Sequence, residues 1–297
     1  MFKTADIIPL MGALGAEVSG IQLADLVKHN DSSKAEQLFQ MLVENKVLVF
    51  RDQYPDPQTH VDVAKLIGDL APTLPMYPKV AGHEDIIIIL NDNDNPPGNE
   101  VWHADMTYRE VPIFALVLHG VHVPPVGDNP FWVDMVGVAE GLSAPMRQFL
   151  LGLTARDKIQ QGFSFVNEND QNDRVAELAK TINWGKATNH PFLRKHPVSG
   201  VETLFVNAAF TEAINELAAD ESDAMLRYLC SRIDNPRYQM RVKWRLGTVV
   251  MWDNWATQHY ACGHNYLSFR EVQLVTDSAP RYESLGLNLS MFLGVGS

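Results

Sequence analysis

The chain has 297 residues, 46% hydrophobic and 20% charged, which suits one large domain and suffices for a substantial core. A formal net charge of -12 excludes a general nucleic-acid binder, which needs a basic face. The two cysteines, Cys230 and Cys262, make no disulfide framework and no C-x-x-C pair, residues 1–8 carry no signal-like apolar run, and no stretch approaches the roughly 20 apolar residues of a membrane span. A cytoplasmic protein with no membrane or nucleic-acid partner is the expectation. In chain order, Ala35, Leu38, Met41 and Leu42 lie at helical spacing and predict an amphipathic helix over 33–44. Residues 47–50 predict a buried strand. Asp56 before Pro57 has the chemistry of an N-cap and first helical residue, opening a helix to about residue 67. The β-branched run at 86–90 predicts a strand. Further strands are expected around Trp102 and at 114–121, 129–133, 203–206, 238–244, 248–252 and 270–276, with a helix over 220–233.

The βαβ alternation of a doubly wound sheet is absent. Many short strands with a few helices predict a mainly β fold, a sandwich or barrel with its helices packed outside. Two polar stretches, 91–100 and 160–190, interrupt the pattern, the second with a short helix expected at 174–182. Loops this long in a compact domain point to function. The expectation is a single domain over 1–297, with lid segments at 71–100 and 160–190.

His103 and Asp105 stand two apart, so on a strand both side chains face one way and can reach one metal ion. His259 follows the predicted strand at 248–252. Two imidazoles and a carboxylate on one face of an octahedral ion make a facial triad with three open positions, as Fe(II) requires for a chelating oxo-acid and dioxygen. Taken alone, His-x-Asp is weak, and it is more often a structural pair. Arg270, eleven residues after His259 and on the next predicted strand, can pair bidentately with a carboxylate of 2-oxoglutarate. His119 and His122 are three apart on a strand, face opposite sides and are expected to be structural. Asp92 and Asp94 resemble a calcium-binding run, but the Pro96-Pro97 pair and the lack of a following glutamate argue against it. No nucleophile elbow or P-loop pattern is present.

Longer motifs strengthen this reading: GAEVSGIQL at 15–23, VLVFRDQ at 47–53, NDNPP at 93–97 and WHADMTY at 102–108. They continue with LSAPMRQFLLGL at 142–153, HPVSG at 196–200, LFVN at 204–207 and MWDNWATQHYA at 251–261. In this order and spacing the chain resembles the taurine dioxygenase-like family of Fe(II)/2-oxoglutarate-dependent oxygenases, almost end to end. The resemblance implies a double-stranded β-helix, or jelly roll, with His103, Asp105 and His259 on iron and Arg270 on 2-oxoglutarate. It implies a reaction in which O2 and 2-oxoglutarate give succinate, CO2 and a hydroxylated small-molecule substrate. The Asp105 carboxylate favours hydroxylation over halogenation, since related halogenases leave that ligand position to chloride. The resemblance also implies a homodimer or homotetramer.

Departures from the family pattern bear on specificity. Where the family has Gly-Gly-Asp-Thr, this chain has Gly127-Asp128-Asn129-Pro130. Pro130 lacks the threonine hydroxyl that helps bind 2-oxoglutarate, a loss of roughly 1 kcal/mol or more, unless Asn129 takes its place. The family's sulfonate-binding arginine, histidine and serine correspond here to Leu274, to Leu74 or Thr73, and to Gly162. Tyr77, Asn99, Phe163 and Phe210 match substrate-pocket positions. The expected pocket is apolar and aromatic, so taurine is not the expected substrate. Aryloxy or alkyl carboxylates and sulfate esters are the next candidates, and a non-catalytic ligand-binding protein on the same scaffold is the alternative from another class. Trp255 stands where the family commonly has arginine, and His264 competes weakly with His259 as a ligand.

Overall fold

The computed structural model describes residues 6–29, 31–75, 77–91, 101–124, 129–159, 186–261 and 270–280, with only the backbone at 270, 279 and 280. A nine-stranded sheet forms the larger layer. Its strands are β1 (Asp6–Met11), β2 (Leu14–Ser19), β3 (Val47–Phe50), β4 (Gly68–Leu70), β5 (Lys79–Val80), β6 (His83–Asn91), β7 (Ala115–His122), β15 (Val249–Asp253) and β17 (Arg270–Pro280). They run in the order β1-β2-β3-β15-β7-β17-β6-β5, with β4 on β17. All neighbours are antiparallel except β2 and β3, which are parallel. The smaller layer is β14 (Gln239–Arg241), β8 (Phe131–Asp134) and β16 (Thr257–Tyr260), in that order. β9 (Thr154–Asp157), β10 (Thr188–Pro191) and β13 (Thr211–Ile214) form one side sheet, and β11 (Leu193–Lys195) and β12 (Glu202–Leu204) another.

Strand alternation shows how the layers pack. Val47 and Val49 of β3 and Val250 and Trp252 of β15 join an interior cluster with Trp132 and Met240 of the smaller sheet. Leu48, Phe50, Val249 and Met251 point the other way, into a cluster with α1 (Leu23–His29), α2 (Ser32–Asn45) and α3 (Pro57–Ala64). Both faces of β3 are therefore covered, which explains its unbroken apolar run. Behind the smaller sheet, Val133 packs with α4 (Met135–Glu140), α5 (Ala144–Leu150) and α6 (Ala219–Ile233). Two facing sheets with helices outside are the jelly roll expected from the sequence. Among the described residues no helix is long and apolar enough to cross a membrane.

One buried ion pair ties the layers together at the end where the site lies. Lys46 caps α2 in the left-handed conformation (φ 64°) and sends its Nζ to Asp134 Oδ2 at 2.9 Å and to the Ala13 carbonyl at 3.1 Å. Asp134 meanwhile caps α4 through the Val136 N–H, and the Lys46 carbonyl accepts from the Asp253 N–H.

Most predicted elements stand within a few residues of their expected limits. Asp56 does cap α3, taking the Thr59 N–H, but the helix ends at Ala64 rather than residue 67, because the chain turns there to enter β4. The β1–β2 hairpin has no counterpart in the sequence reading. The expected lid at 71–100 is, over its described part, largely strands β5 and β6; 92–100 and 160–185, including the helix expected at 174–182, lie outside the described residues.

Candidate metal centre

His103 is not on a regular strand. It forms a single antiparallel bridge with His259 of β16, each accepting the other's backbone N–H (3.0 and 2.8 Å). That pairing brings the two imidazole centroids to 4.2 Å. After His103 the chain turns, so strand alternation does not carry the His-x-Asp pair as the sequence suggested. Met106 takes a left-handed φ of 56°, and the Asn254 side chain holds the turn. Asn254 Oδ1 accepts the Asp105 N–H at 2.9 Å, while Nδ2 donates to the carbonyls of Asp105 (2.9 Å) and Ile113 (3.2 Å). Asn254 is placed in turn by Asp253, whose Oδ1 accepts from the N–H groups of Trp255 and Ala256 and whose Oδ2 takes His196 Nε2 at 2.8 Å. The neighbours of Nδ1 of His196, the Val198 and Ser199 N–H groups, leave it the acceptor, so Nε2 carries the proton.

His103 Nε2 lies 3.7 Å from Asp105 Oδ1, and His259 Nε2 lies 4.0 Å from Asp105 Oδ2. One donor atom from each of the three residues falls within 4.8 Å of the others, so together they could hold a metal ion. His103 Nδ1 donates to the Val101 carbonyl at 2.8 Å, which leaves Nε2 as the ligand nitrogen. His259 Nδ1 is buried without a partner among the described residues, and the Trp252 ring packs 5.1 Å from the imidazole. Burial raises the Asp105 pKa, an effect His103 partly offsets; burial and then His103 hold His259 well below the usual imidazole range. Neutral imidazole is the form a metal binds, and a cation among these groups reverses the penalty on the carboxylate. Two imidazole nitrogens and one carboxylate are a donor set that fits non-haem Fe(II).

The expected pocket residues divide into those the structure brings together and those it does not describe. Leu74, Phe210 and Leu274 are buried in one interior cluster with Met106 and Tyr108, and Tyr77 packs against it. Burial and the nearby Asp105 push the Tyr77 hydroxyl up to about 12. Thr73 instead faces outward and bonds the Glu84 carbonyl, so Leu74 is the residue of that pair in the interior. Arg270 opens β17 opposite Asn91. Asn129 Oδ1 accepts the Trp244 N–H at 3.0 Å, and the Pro130 carbonyl takes the Val242 N–H. Asn99, Gly127, Asp128, Gly162, Phe163 and His264 lie outside the described residues. His119 is buried and His122 exposed, on opposite faces as expected. Trp255 is buried under the Arg194 guanidinium, 3.6 Å from its ring centre, and donates to the Pro112 carbonyl.

Two residues that sequence reasoning did not single out bear on the site. Asn254 staples the Asp105 turn; its adjacency to Asp253 in the MWDNWATQHYA motif was the available signal. Tyr108 lines the apolar cluster beside the ligands; its signal was only its place three residues after Asp105.

The chain is 28% identical to an alkylsulfatase of Acinetobacter baylyi, over 90% of this chain and 83% of that protein. It is likewise 28% identical to an alpha-ketoglutarate-dependent sulfate ester dioxygenase of Pseudomonas putida, over 91% of this chain and 88% of the other. The crystal structure of a taurine dioxygenase from Burkholderia xenovorans superposes with a TM-score of 0.77 at 28% identity, covering 92% of this chain and 89% of that one. The family model "Taurine catabolism dioxygenase TauD, TfdA family" matches residues 6–272. The chain belongs to the TauD/TfdA family and is an Fe(II)- and 2-oxoglutarate-dependent dioxygenase.

Proposed function

We propose that His103, Asp105 and His259 hold the Fe(II), that Arg270 binds the far carboxylate of 2-oxoglutarate, and that the substrate is a small, fairly apolar molecule other than taurine. When bound, the iron with 2-oxoglutarate and O2 supplies decarboxylation to succinate and CO2 coupled to insertion of one oxygen into a substrate C–H bond. The chain's own part is positioning. The Asn254 staple sets Asp105 and the His103–His259 bridge sets the imidazoles, while Trp252 and its neighbours keep water from the interior side.

The observation that carries the substrate reading is that Leu74, Leu274 and Phe210 share one buried apolar cluster with Met106, the residue that follows Asp105. A sulfonate needs charge-assisted hydrogen bonds, which two leucines cannot supply. A second reading, favoured by the names of the two curated relatives, is oxidation of an alkyl sulfate ester at the carbon bearing oxygen, after which the C–O bond breaks. Aryloxy or alkyl carboxylates would react by the same logic. Substrate-stimulated succinate release, measured with taurine, octyl sulfate, 2-phenoxypropionate and an uncharged cyclic ketone, tests both. Stimulation by an apolar or alkyl-tailed probe is expected, with none by taurine. Saturable taurine turnover with a micromolar Michaelis constant overturns the reading. The cytoplasm suits the cysteine usage, and a homodimer or homotetramer is the proposed assembly, which sedimentation velocity decides.

A further inference from the structure

Segment 107–109 is held from several sides. Thr188 Oγ1 donates to the Tyr108 carbonyl at 2.6 Å, and His190 Nε2 donates to the carbonyls of Thr107 (2.7 Å) and Arg109 (3.0 Å). Asn207 Nδ2 donates to Thr107 Oγ1, while Asn207 Oδ1 accepts from the N–H groups of Ala209 and Phe210. One asparagine thus fixes both the tyrosine segment and the phenylalanine opposite. The two rings meet edge to face at 5.2 Å. Tyr108 is only 7% exposed and packs in the cluster that holds Met106, Leu74 and Leu274, yet its hydroxyl has no hydrogen-bond partner among the described residues.

A buried, unpartnered hydroxyl costs stability, and phenylalanine would fill the same volume without that cost. Among the described residues the surrounding network fixes the ring but offers its oxygen nothing, which leaves the donor available to a bound group. We propose that the Tyr108 hydroxyl orients the substrate by donating a hydrogen bond to one neutral oxygen acceptor, a carbonyl or ether oxygen, on an otherwise apolar molecule. This rests on the proposed function and names a specificity determinant within it. The neutral class follows from the walls: leucines at 74 and 274 serve an apolar body, and a single phenol suits one uncharged acceptor better than a sulfate. Burial, partly offset by the Arg109 charge, raises the hydroxyl above the ordinary tyrosine range, so it remains a donor at physiological pH. A pocket built to satisfy a polar group discriminates against analogues that lack it.

The test uses full-length protein with Zn(II) in place of iron, 2-oxoglutarate, and tyrosines labelled with 13C at Cζ. The Tyr108 resonance is assigned by its loss in Tyr108→Phe. Cyclooctanone, its hydrocarbon match cyclooctane, and octyl sulfate are titrated into wild type and variant. Cyclooctanone is expected to shift the Tyr108 resonance and to bind Tyr108→Phe about tenfold more weakly, while cyclooctane affinity is unchanged. The free variant is expected to melt no lower than wild type and up to about 2 °C higher, which a purely structural tyrosine would not do. The proposal is overturned if no probe binds wild type, if the ketone leaves the resonance unmoved or binds the variant equally well, or if octyl sulfate alone engages the hydroxyl. Failure of the enzyme reading shows separately, as no substrate-stimulated succinate from the Fe(II) protein in air.

Discussion

Around the triad, position is set by polar partners. Asn254 grips both backbone groups of Asp105, Asp253 and His196 hold the loop that carries Asn254, and Lys46 pairs with Asp134 between the sheets. At the apolar wall of the interior, the side chains of Leu74, Phe210 and Leu274 pack in one hydrophobic cluster. Directional bonds tolerate little substitution, because removing one partner leaves another buried and unsatisfied. Apolar walls accept volume-conserving exchange at small cost. A chain can therefore keep its oxidant while its substrate diverges, and the leucines at 74 and 274 are where we propose that this one does so.

The largest test falls on the polar side. Lys46→Met leaves Asp134 buried without its cation and is expected to cost about 3–5 kcal/mol in urea unfolding. A cost below 1 kcal/mol would show that the pair does not hold the layers together. Acid should act nearly as strongly. Burial holds His60 and His190 at about 4, below the 6.5 of an unfolded histidine, so the unfolded chain takes up these protons first. Their stabilisation is full above pH 6.5 and lost as pH falls towards 4. Asp157, raised by burial to about 6, works the other way and recovers part of it between pH 6 and 3.8. These three groups together account for a loss of about 3–4 kcal/mol at pH 4, read as a falling urea midpoint, and a flat midpoint from pH 7 to 4 contradicts it.

A smaller pair of effects should separate the two walls directly. Leu274→Ala is expected to cost about 2–3 kcal/mol of stability with iron affinity unchanged. Asn254→Ala is expected to weaken iron binding by about 10–100-fold in anaerobic titration, since it frees the Asp105 turn. If Leu274→Ala impaired iron binding as much as Asn254→Ala, the division between the walls would not hold.

Much of this was legible in the residues. The apolar run at 47–50 and the Asp56-Pro57 start of α3 follow from local pattern, whereas the expected triad rests on the His-x-Asp spacing together with the family resemblance. The β1–β2 hairpin did not, because Ile7, Ile8 and Leu10 are exposed and Pro9 interrupts the run, so neither alternation nor burial marks a strand. The turn at Asp105 was misread as strand, since the Asp105 backbone is gripped by Asn254, 149 positions away, which leaves no local signal. Leu74 and Leu274 were legible as losses of charge. The Tyr108 hydroxyl was not, because lacking a partner is a property of packing rather than of residue type.

The central claim is that His103, Asp105 and His259 hold the iron on which 2-oxoglutarate is consumed. Anaerobic addition of Fe(II) and then 2-oxoglutarate, followed by air, tests it most directly. Wild type is expected to show a visible charge-transfer band with one iron per chain and then to form succinate, while His103→Ala and His259→Ala do neither. A wild-type protein without band or succinate, or a His259→Ala variant that keeps both, would contradict the account.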